Sequence, residues 1–151
     1  MKALELKVPP LIVMLIVGGL CTIIYKCYRL HTINSLFIDI LAIILFTLAT
    51  LSVFSAVFNF RNKETTVDPL YPDKSKYLIV SGVYRFSRNP MYLGFYLWLL
   101  SYTLYLGDVL MVLLTPLFIV YINRFQIVPE EKILFDKFGA DYLSYKNSVR
   151  R

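Results

Sequence analysis

The stretch from Ser81 to Gly94 carries the residue types most suited to chemistry in this chain of 151 residues. It combines two arginines, an Asn-Pro step and several aromatic side chains directly before a long apolar segment. Asn89 is favourable at a helix N-cap, and Pro90 suits the first helical position because its missing N–H would have no partner there. A helix that begins here directs free N–H groups and a partial positive charge at the preceding loop. The turn Arg88-Asn89-Pro90, called the Asn-Pro corner below, is therefore suited to an anionic group such as a carboxylate.

A second feature, the acidic pair Glu130-Glu131, offers the opposite charge after the last long apolar segment. The corner, the pair and the nearby tyrosines together match a zwitterionic ligand with a planar ring and a cationic group. S-Adenosylmethionine has these properties, and so do other amphipathic ligands. Each feature also has a simpler interpretation: the aromatics as an interfacial belt, the arginines as topology signals, and the glutamates as helix-start charges.

The strongly apolar composition predicts which kind of helices position these residues. Hydrophobic residues make up 58% of the chain and charged residues 17%, whereas soluble domains carry roughly 25% charge. Composition and length therefore predict a single all-α domain, residues 1–151, that is an integral membrane bundle. The formal charge of +6 is assigned to topology and lipid headgroups, not to nucleic acid, because the basic residues flank apolar segments.

The apolar pattern predicts about four transmembrane helices, a cytoplasmic loop and an amphipathic C-terminal helix. The predicted spans are 11–28, 36–58, 90–106 and 109–123. The last two form a tight hairpin near the lower length limit for crossing, so a re-entrant hairpin is the alternative. Local signals in the C-terminal part are a kink at Pro116, a new helix start at Pro129 and a helix end at Gly139.

Orientation is predicted from the distribution of Lys and Arg. With four spans, fourteen of the sixteen basic residues fall on the side that holds both termini and the loop 59–89. The positive-inside rule then places both termini, the corner and the acidic pair in the cytoplasm, with the spans in an inner (cytoplasmic) membrane. Because the corner and the pair share one side, we expect the glutamates to fold over the corner.

The part of the chain from Tyr77 to Val149 resembles the isoprenylcysteine carboxyl methyltransferases and their relatives, the phospholipid N-methyltransferases. Order and spacing of the motifs agree over about half of the chain, but Asn89 stands where that family usually has His. An imidazole mechanism is therefore in question at this position, although Asn still donates a hydrogen bond to a carboxylate. The matching motifs are Gly82-Val83-Tyr84, Arg88-Asn89-Pro90-Met91-Tyr92-Leu93-Gly94, Glu130-Glu131 and Phe138-Gly139-Ala140-Asp141-Tyr142-Leu143-Ser144-Tyr145.

The resemblance implies an enzyme that transfers a methyl group from S-adenosylmethionine to a membrane-embedded or lipophilic acceptor, with no metal. Isoprenylcysteine-type carboxylate O-methylation is favoured. The alternatives are a phospholipid amine N-methyltransferase and a non-catalytic cofactor-binding or structural membrane protein. Membrane lipids are expected partners, and a homodimer that encloses the lipid cavity is considered.

The same resemblance assigns site residues within two elements, 77–94 and 124–145. Arg124 and Glu131 are the catalytic candidates, with Arg124 on the acceptor side. Either Glu130 or Glu131 meets the ammonium group of the cofactor. The implied cofactor-binding residues are Tyr77, Leu78, Ile79, Tyr84, Arg88, Asn89, Pro90, Met91, Tyr92, Glu130 and Glu131.

Overall fold

Long helices dominate the computed structural model, which describes residues 4–28, 35–61 and 77–151. This confirms the predicted all-α membrane bundle. About half of the loop predicted at 59–89, namely residues 62–76, lies outside the described residues. The elements are α1 (Pro10–Tyr28), α2 (Leu36–Arg61), a 3-10 turn (Gly82–Arg85), α3 (Pro90–Leu106), α4 (Val109–Leu114), α5 (Pro116–Ile122), a π-helical turn (Asn123–Ile127) and α6 (Val128–Ser148).

Three helical stretches of the described chain are long and apolar enough to cross a membrane. They are Pro10–Tyr28, Leu36–Asn59 and Val109–Ser148. The charged residues of the third stretch begin at Arg124, so its apolar part precedes α6. Helix α3 has 17 residues, which is the lower limit of the range for a membrane-spanning helix.

Helix α6 begins at Val128, one residue before the start predicted at Pro129, but the chain is already helical before it. Ile127, directly before α6, has φ −66° and ψ −48°, which are helical values. The π-helical turn lies just before Pro129 instead. Because proline has no N–H for the carbonyl four residues earlier, a local widening of the helix accommodates it without a break. The acidic pair therefore lies on a helix that continues directly from the last apolar segment.

Two other irregularities are found where the sequence predicts them. Pro116 separates α4 from α5, and its missing N–H leaves the carbonyl of Val112 without its usual helical partner. The hydroxyl of Thr115 donates to that carbonyl at 2.9 Å. Gly139 bends α6 with φ 53° and ψ −120°, a conformation that residues with a Cβ atom rarely adopt.

Gly94 allows α3 to lie directly against α2. A Cβ atom at this position would lie 2.5 Å from Val53 Cγ2 and 3.1 Å from the carbonyl oxygen of Ala49. The two helices are also joined near the corner, where the hydroxyl of Ser52 donates to the carbonyl of Pro90 at 2.9 Å. The helix that begins at the Asn-Pro corner is thus fixed to α2 by close packing and hydrogen bonding.

Substitution of Gly94 by Ala is expected to lower the free energy of unfolding by about 1–3 kcal/mol, because the added methyl group overpacks this contact. Thermal unfolding in detergent measures the effect. Gly19→Ala is the matched control, since no described atom lies within 4 Å of a Cβ atom there and Ala favours a helix more than Gly does. Equal melting temperatures for the two variants would contradict the close approach of α3 and α2.

Candidate functional site

The structure brings the Asn-Pro corner and the acidic pair into direct contact, as the shared orientation leads us to expect. Arg88 Nη2 donates to Glu131 Oε1 at 3.0 Å. One helical turn further on, the hydroxyl of Tyr92 donates to Glu130 Oε2 at 2.8 Å. These two hydrogen bonds join the start of α3 to the start of α6, and they place opposite charges side by side at one end of the bundle.

Glu131 lies at the centre of three cationic side chains, and these four residues are called the Glu131 cluster. Arg151 Nε and Nη2 donate to the two carboxylate oxygens at 2.9 and 2.8 Å. Lys146 Nζ lies 3.3 Å from Oε2, and Arg88 is the third cation. Burial opposes ionisation of Glu131, which is 7% exposed, but hydrogen bonds and charge from Arg151, with the charge of Arg88, hold its pKa below its usual range. The cluster has three positive charges around one negative charge.

The C-terminal residues fold back onto the corner and complete this cluster. The backbone N–H of Arg88 donates to the carbonyl of Arg150 at 2.9 Å, and Arg88 Nη1 donates to the carbonyl of Lys146 at 2.6 Å. Arg151 Nη1 donates to Asn123 Oδ1 at 2.9 Å. In the sequence, Arg151 is one of the fourteen basic residues on the predicted cytoplasmic side, and its part in the site is not predicted. The available signal is that a buried glutamate requires cationic partners, which the basic C-terminus could supply.

Glu130 has a different environment from its neighbour. It is partly buried, and the hydroxyl of Tyr92 that donates to it is also hydrogen-bonded to the side chain of Gln126. Burial raises the pKa of the Glu130 carboxyl to about 7; the hydrogen bond from Tyr92 opposes this shift and the charge of Glu131 adds to it. Near neutral pH, Glu130 therefore exchanges a proton while Glu131 stays ionised.

Two of the residues predicted to bind cofactor, Ile79 and Tyr84, are buried between the corner and α6. They pack with Tyr142 and Tyr145, and the hydroxyl of Tyr145 donates to the carbonyl of Tyr84 at 2.8 Å. Burial raises the pKa of the Tyr84 hydroxyl well above its usual value, and the charge of Glu130 adds to this shift. Leu78 and Met91 pack against the same cluster. In this structure these residues form a packed hydrophobic cluster next to the corner and α6.

An outer groove of about 850 Å³ lies between residues 77–80 and the second half of α6. Tyr77 and Leu78, both predicted to bind cofactor, line it together with Tyr145. Its polar lining residues come from α6 and are Asp141, Ser144 and Ser148. Aromatic surface beside a carboxylate and hydroxyls suits a nucleoside-like group, since the ring can stack and the sugar hydroxyls can donate hydrogen bonds.

A smaller cavity of about 240 Å³, called the helix cavity, lies between α3 and α5. Asn89 and Tyr92, two of the residues predicted to bind cofactor, line it. Asn89 occupies the N-cap position as predicted, but within the described part of the chain its side chain makes no capping hydrogen bond. Its Nδ2 atom is buried and has no hydrogen-bond partner among the described residues.

Arg124, the predicted acceptor-side arginine, contacts residues outside the Glu131 cluster. Its guanidinium pairs with Glu5 at 3.0 Å and lies 5.6 Å from the ring centroid of Phe125. The side chain is 44% exposed. Its role in acceptor binding stays a prediction, and Arg151 is the arginine that the structure places beside the helix cavity.

A family model and two of three similar proteins name methyl transfer. A family model described as phospholipid methyltransferase matches residues 37–141. An uncharacterized protein of Haemophilus influenzae is 51% identical over 61 residues, which are 40% of this chain and 97% of that protein. Protein-S-isoprenylcysteine O-methyltransferases of Saccharomyces cerevisiae and Schizosaccharomyces pombe are 40% and 32% identical over 75 and 77 residues. These matches cover 48% and 51% of this chain but only 30% and 33% of the two yeast enzymes. No solved structure matches the chain.

Proposed function

We propose, from the premise that this chain belongs to the phospholipid methyltransferase family, that it transfers a methyl group from S-adenosylmethionine to a lipophilic acceptor. Family membership confirms the resemblance found in the motifs. The chain matches only about a third of each yeast enzyme. The observation that carries the proposal is the contact of the Asn-Pro corner with the acidic pair, beside an amphipathic cavity.

The residues present fit a zwitterionic methyl donor. We assign its ammonium group to Glu130, because the Glu131 carboxylate is already occupied by Arg88, Arg151 and Lys146. The cationic corner supplies the complementary site for the carboxylate of the donor, and the outer groove beside Tyr77 suits its nucleoside. This assignment refines the prediction that either glutamate meets the ammonium.

S-Adenosylmethionine supplies an electrophilic methyl group when it is bound. The residues of the protein then have to align the acceptor with that methyl group and exclude water. A carboxylate acceptor is ionised at neutral pH and needs no base. The excess of positive charge in the Glu131 cluster favours such an anionic acceptor, so isoprenylcysteine-type carboxylate O-methylation is our first candidate.

A phospholipid amine is the second candidate acceptor, and two observations favour it. The description of the matching family model names phospholipid. An amine must also lose a proton before it attacks, and Glu130, with a pKa of about 7, is suited to accept one. A cofactor-binding protein without turnover is the remaining alternative. The location in an inner membrane, the cytoplasmic side of the site and a homodimer stay predictions.

Detergent-purified protein tests the proposal in two steps. S-Adenosylmethionine is expected to raise the melting temperature, and labelled methyl is expected to appear on an S-farnesylated cysteine derivative with a free carboxylate. Transfer to phosphatidylethanolamine instead would select the second candidate. Thermal stabilisation without transfer to either acceptor would support the non-catalytic alternative, and the absence of stabilisation would overturn the cofactor assignment.

A further inference from the structure

The helix cavity is polar at one end and apolar along its length. The apolar part lies between α3 and α5, where Leu93 and Ile119 line it. Both side chains are 46% exposed on the outer surface of apolar helices, so the cavity opens toward the region that lipid tails occupy. Residues from three separate segments meet at the polar end: Asn89 from the corner, Asn123 from the π-helical turn and Arg151 from the C-terminus.

The polar end offers hydrogen-bond donors. Asn89 Nδ2 is buried, and no described group accepts a hydrogen bond from it. Arg151 donates through three nitrogen atoms to Glu131 and Asn123, and a guanidinium has five N–H groups, so two remain. The hydrogen bond from Arg151 Nη1 occupies Asn123 Oδ1, the oxygen that could otherwise accept from the remaining donors. The positive charges of the Glu131 cluster exceed its one carboxylate.

We propose that Asn89 and Arg151 are specificity-determining residues that hold the carboxylate of a lipophilic acceptor at the polar end of the helix cavity. This inference rests on the proposed function and names the group that its acceptor presents. It moves Asn89 from the cofactor side to the acceptor side, and it gives Arg151 the role that the sequence assigns to Arg124. The acceptor tail leaves the cavity between α3 and α5, past Leu93 and Ile119.

The experiment compares two probes that differ only at the terminal group: S-farnesylated N-acetylcysteine with a free carboxylate, and its neutral carboxamide. Binding to the full chain is measured by calorimetry in detergent without any methyl donor. The wild-type protein is expected to prefer the carboxylate by about tenfold, as for a charge-assisted hydrogen bond. Arg151→Gln is expected to remove this preference, while a purely structural loss would weaken both probes equally.

Arg150→Gln is the matched control, because it removes the same charge from the adjacent, exposed side chain and should keep the preference. Asn89→Asp is nearly isosteric and replaces the free donor by a negative charge, so it is expected to reverse the preference even if Arg151→Gln fails to fold. Arg151→Lys keeps the charge and should keep part of the preference.

Retention of the preference in folded Arg151→Gln, or in Asn89→Asp, would overturn the inference. Loss of the preference in Arg124→Gln, with its retention in Arg151→Gln, would return the role to Arg124. Because no methyl donor is used, these outcomes do not depend on turnover. A chain that prefers the carboxylate but transfers no methyl group would contradict the proposed activity and keep the anion site.

Discussion

Glu131→Gln is expected to lower the free energy of unfolding by about 3 kcal/mol, because it leaves the cations of the cluster without their common partner. Arg88 is the cation affected most, since its side chain is only 10% exposed. Lys146 and Arg151 are 42% and 43% exposed, so water offsets part of their loss. Chemical or thermal unfolding in detergent measures the difference.

The pH dependence of stability gives this prediction a second measurement. The pKa of Glu131 is lower in the folded protein than its ordinary value, so its contribution is present above that value and disappears as the pH falls through the folded pKa. The wild-type protein should therefore lose stability in acid, and Glu131→Gln should lose less. The double substitution Arg88→Met with Glu131→Leu should cost less than Glu131→Gln alone, because no buried charge is then left without a partner. A larger cost for the double variant would contradict the picture of a buried ion pair.

Much of this fold could be predicted from sequence because its determinants are local. Helices α1 and α3 begin or end within one residue of the predicted spans, since apolar length and the Asn-Pro step set their limits. The continuous helical path from α5 through the π-helical turn to α6 could not be predicted from such local signals. The missing N–H of Pro129 predicts a helix start there. In the structure, a π-helical turn before Pro129 accommodates the missing N–H without a break in the helix.

The candidate site was predictable only in part, for a related reason. Motif spacing identifies the corner and the acidic pair, and the positive-inside rule predicts that both lie on the same side of the membrane. The partners of each glutamate depend on tertiary packing: Arg151 comes from the C-terminus 20 residues after Glu131, while Arg124 turns to Glu5. Neighbouring glutamates of identical chemistry thus acquire opposite pKa shifts, and no pattern in the sequence distinguishes them.

The raised pKa of Glu130 predicts that affinity for S-adenosylmethionine depends on pH. At a pKa of about 7, the carboxylate is mostly protonated at pH 6 and mostly ionised at pH 8. Because only the ionised form attracts the ammonium group, the dissociation constant of the wild-type protein should fall by about tenfold over this interval. Glu130→Gln should bind about tenfold more weakly than the wild type at pH 8, with little dependence on pH. Calorimetry at both pH values measures this.

Tyr92→Phe provides the sharper variant. The hydrogen bond from Tyr92 lowers the pKa of Glu130, so its removal should move the midpoint of donor binding to higher pH. A midpoint that stays in place would show that another group controls the affinity, and an unchanged pH profile in Glu130→Gln would exclude Glu130 from the ammonium site.

The stability of the ligand-free protein should change in the opposite direction to donor binding. The folded state holds the Glu130 proton more tightly than the unfolded state does, so the free energy of unfolding should fall as the pH rises from about 4.5 to about 7. Glu130→Gln should remove this loss and melt at a higher temperature than the wild type at pH 8. One carboxylate would then strengthen ligand binding while it destabilises the empty protein, as expected of a charged group kept in a partly buried site for its ligand.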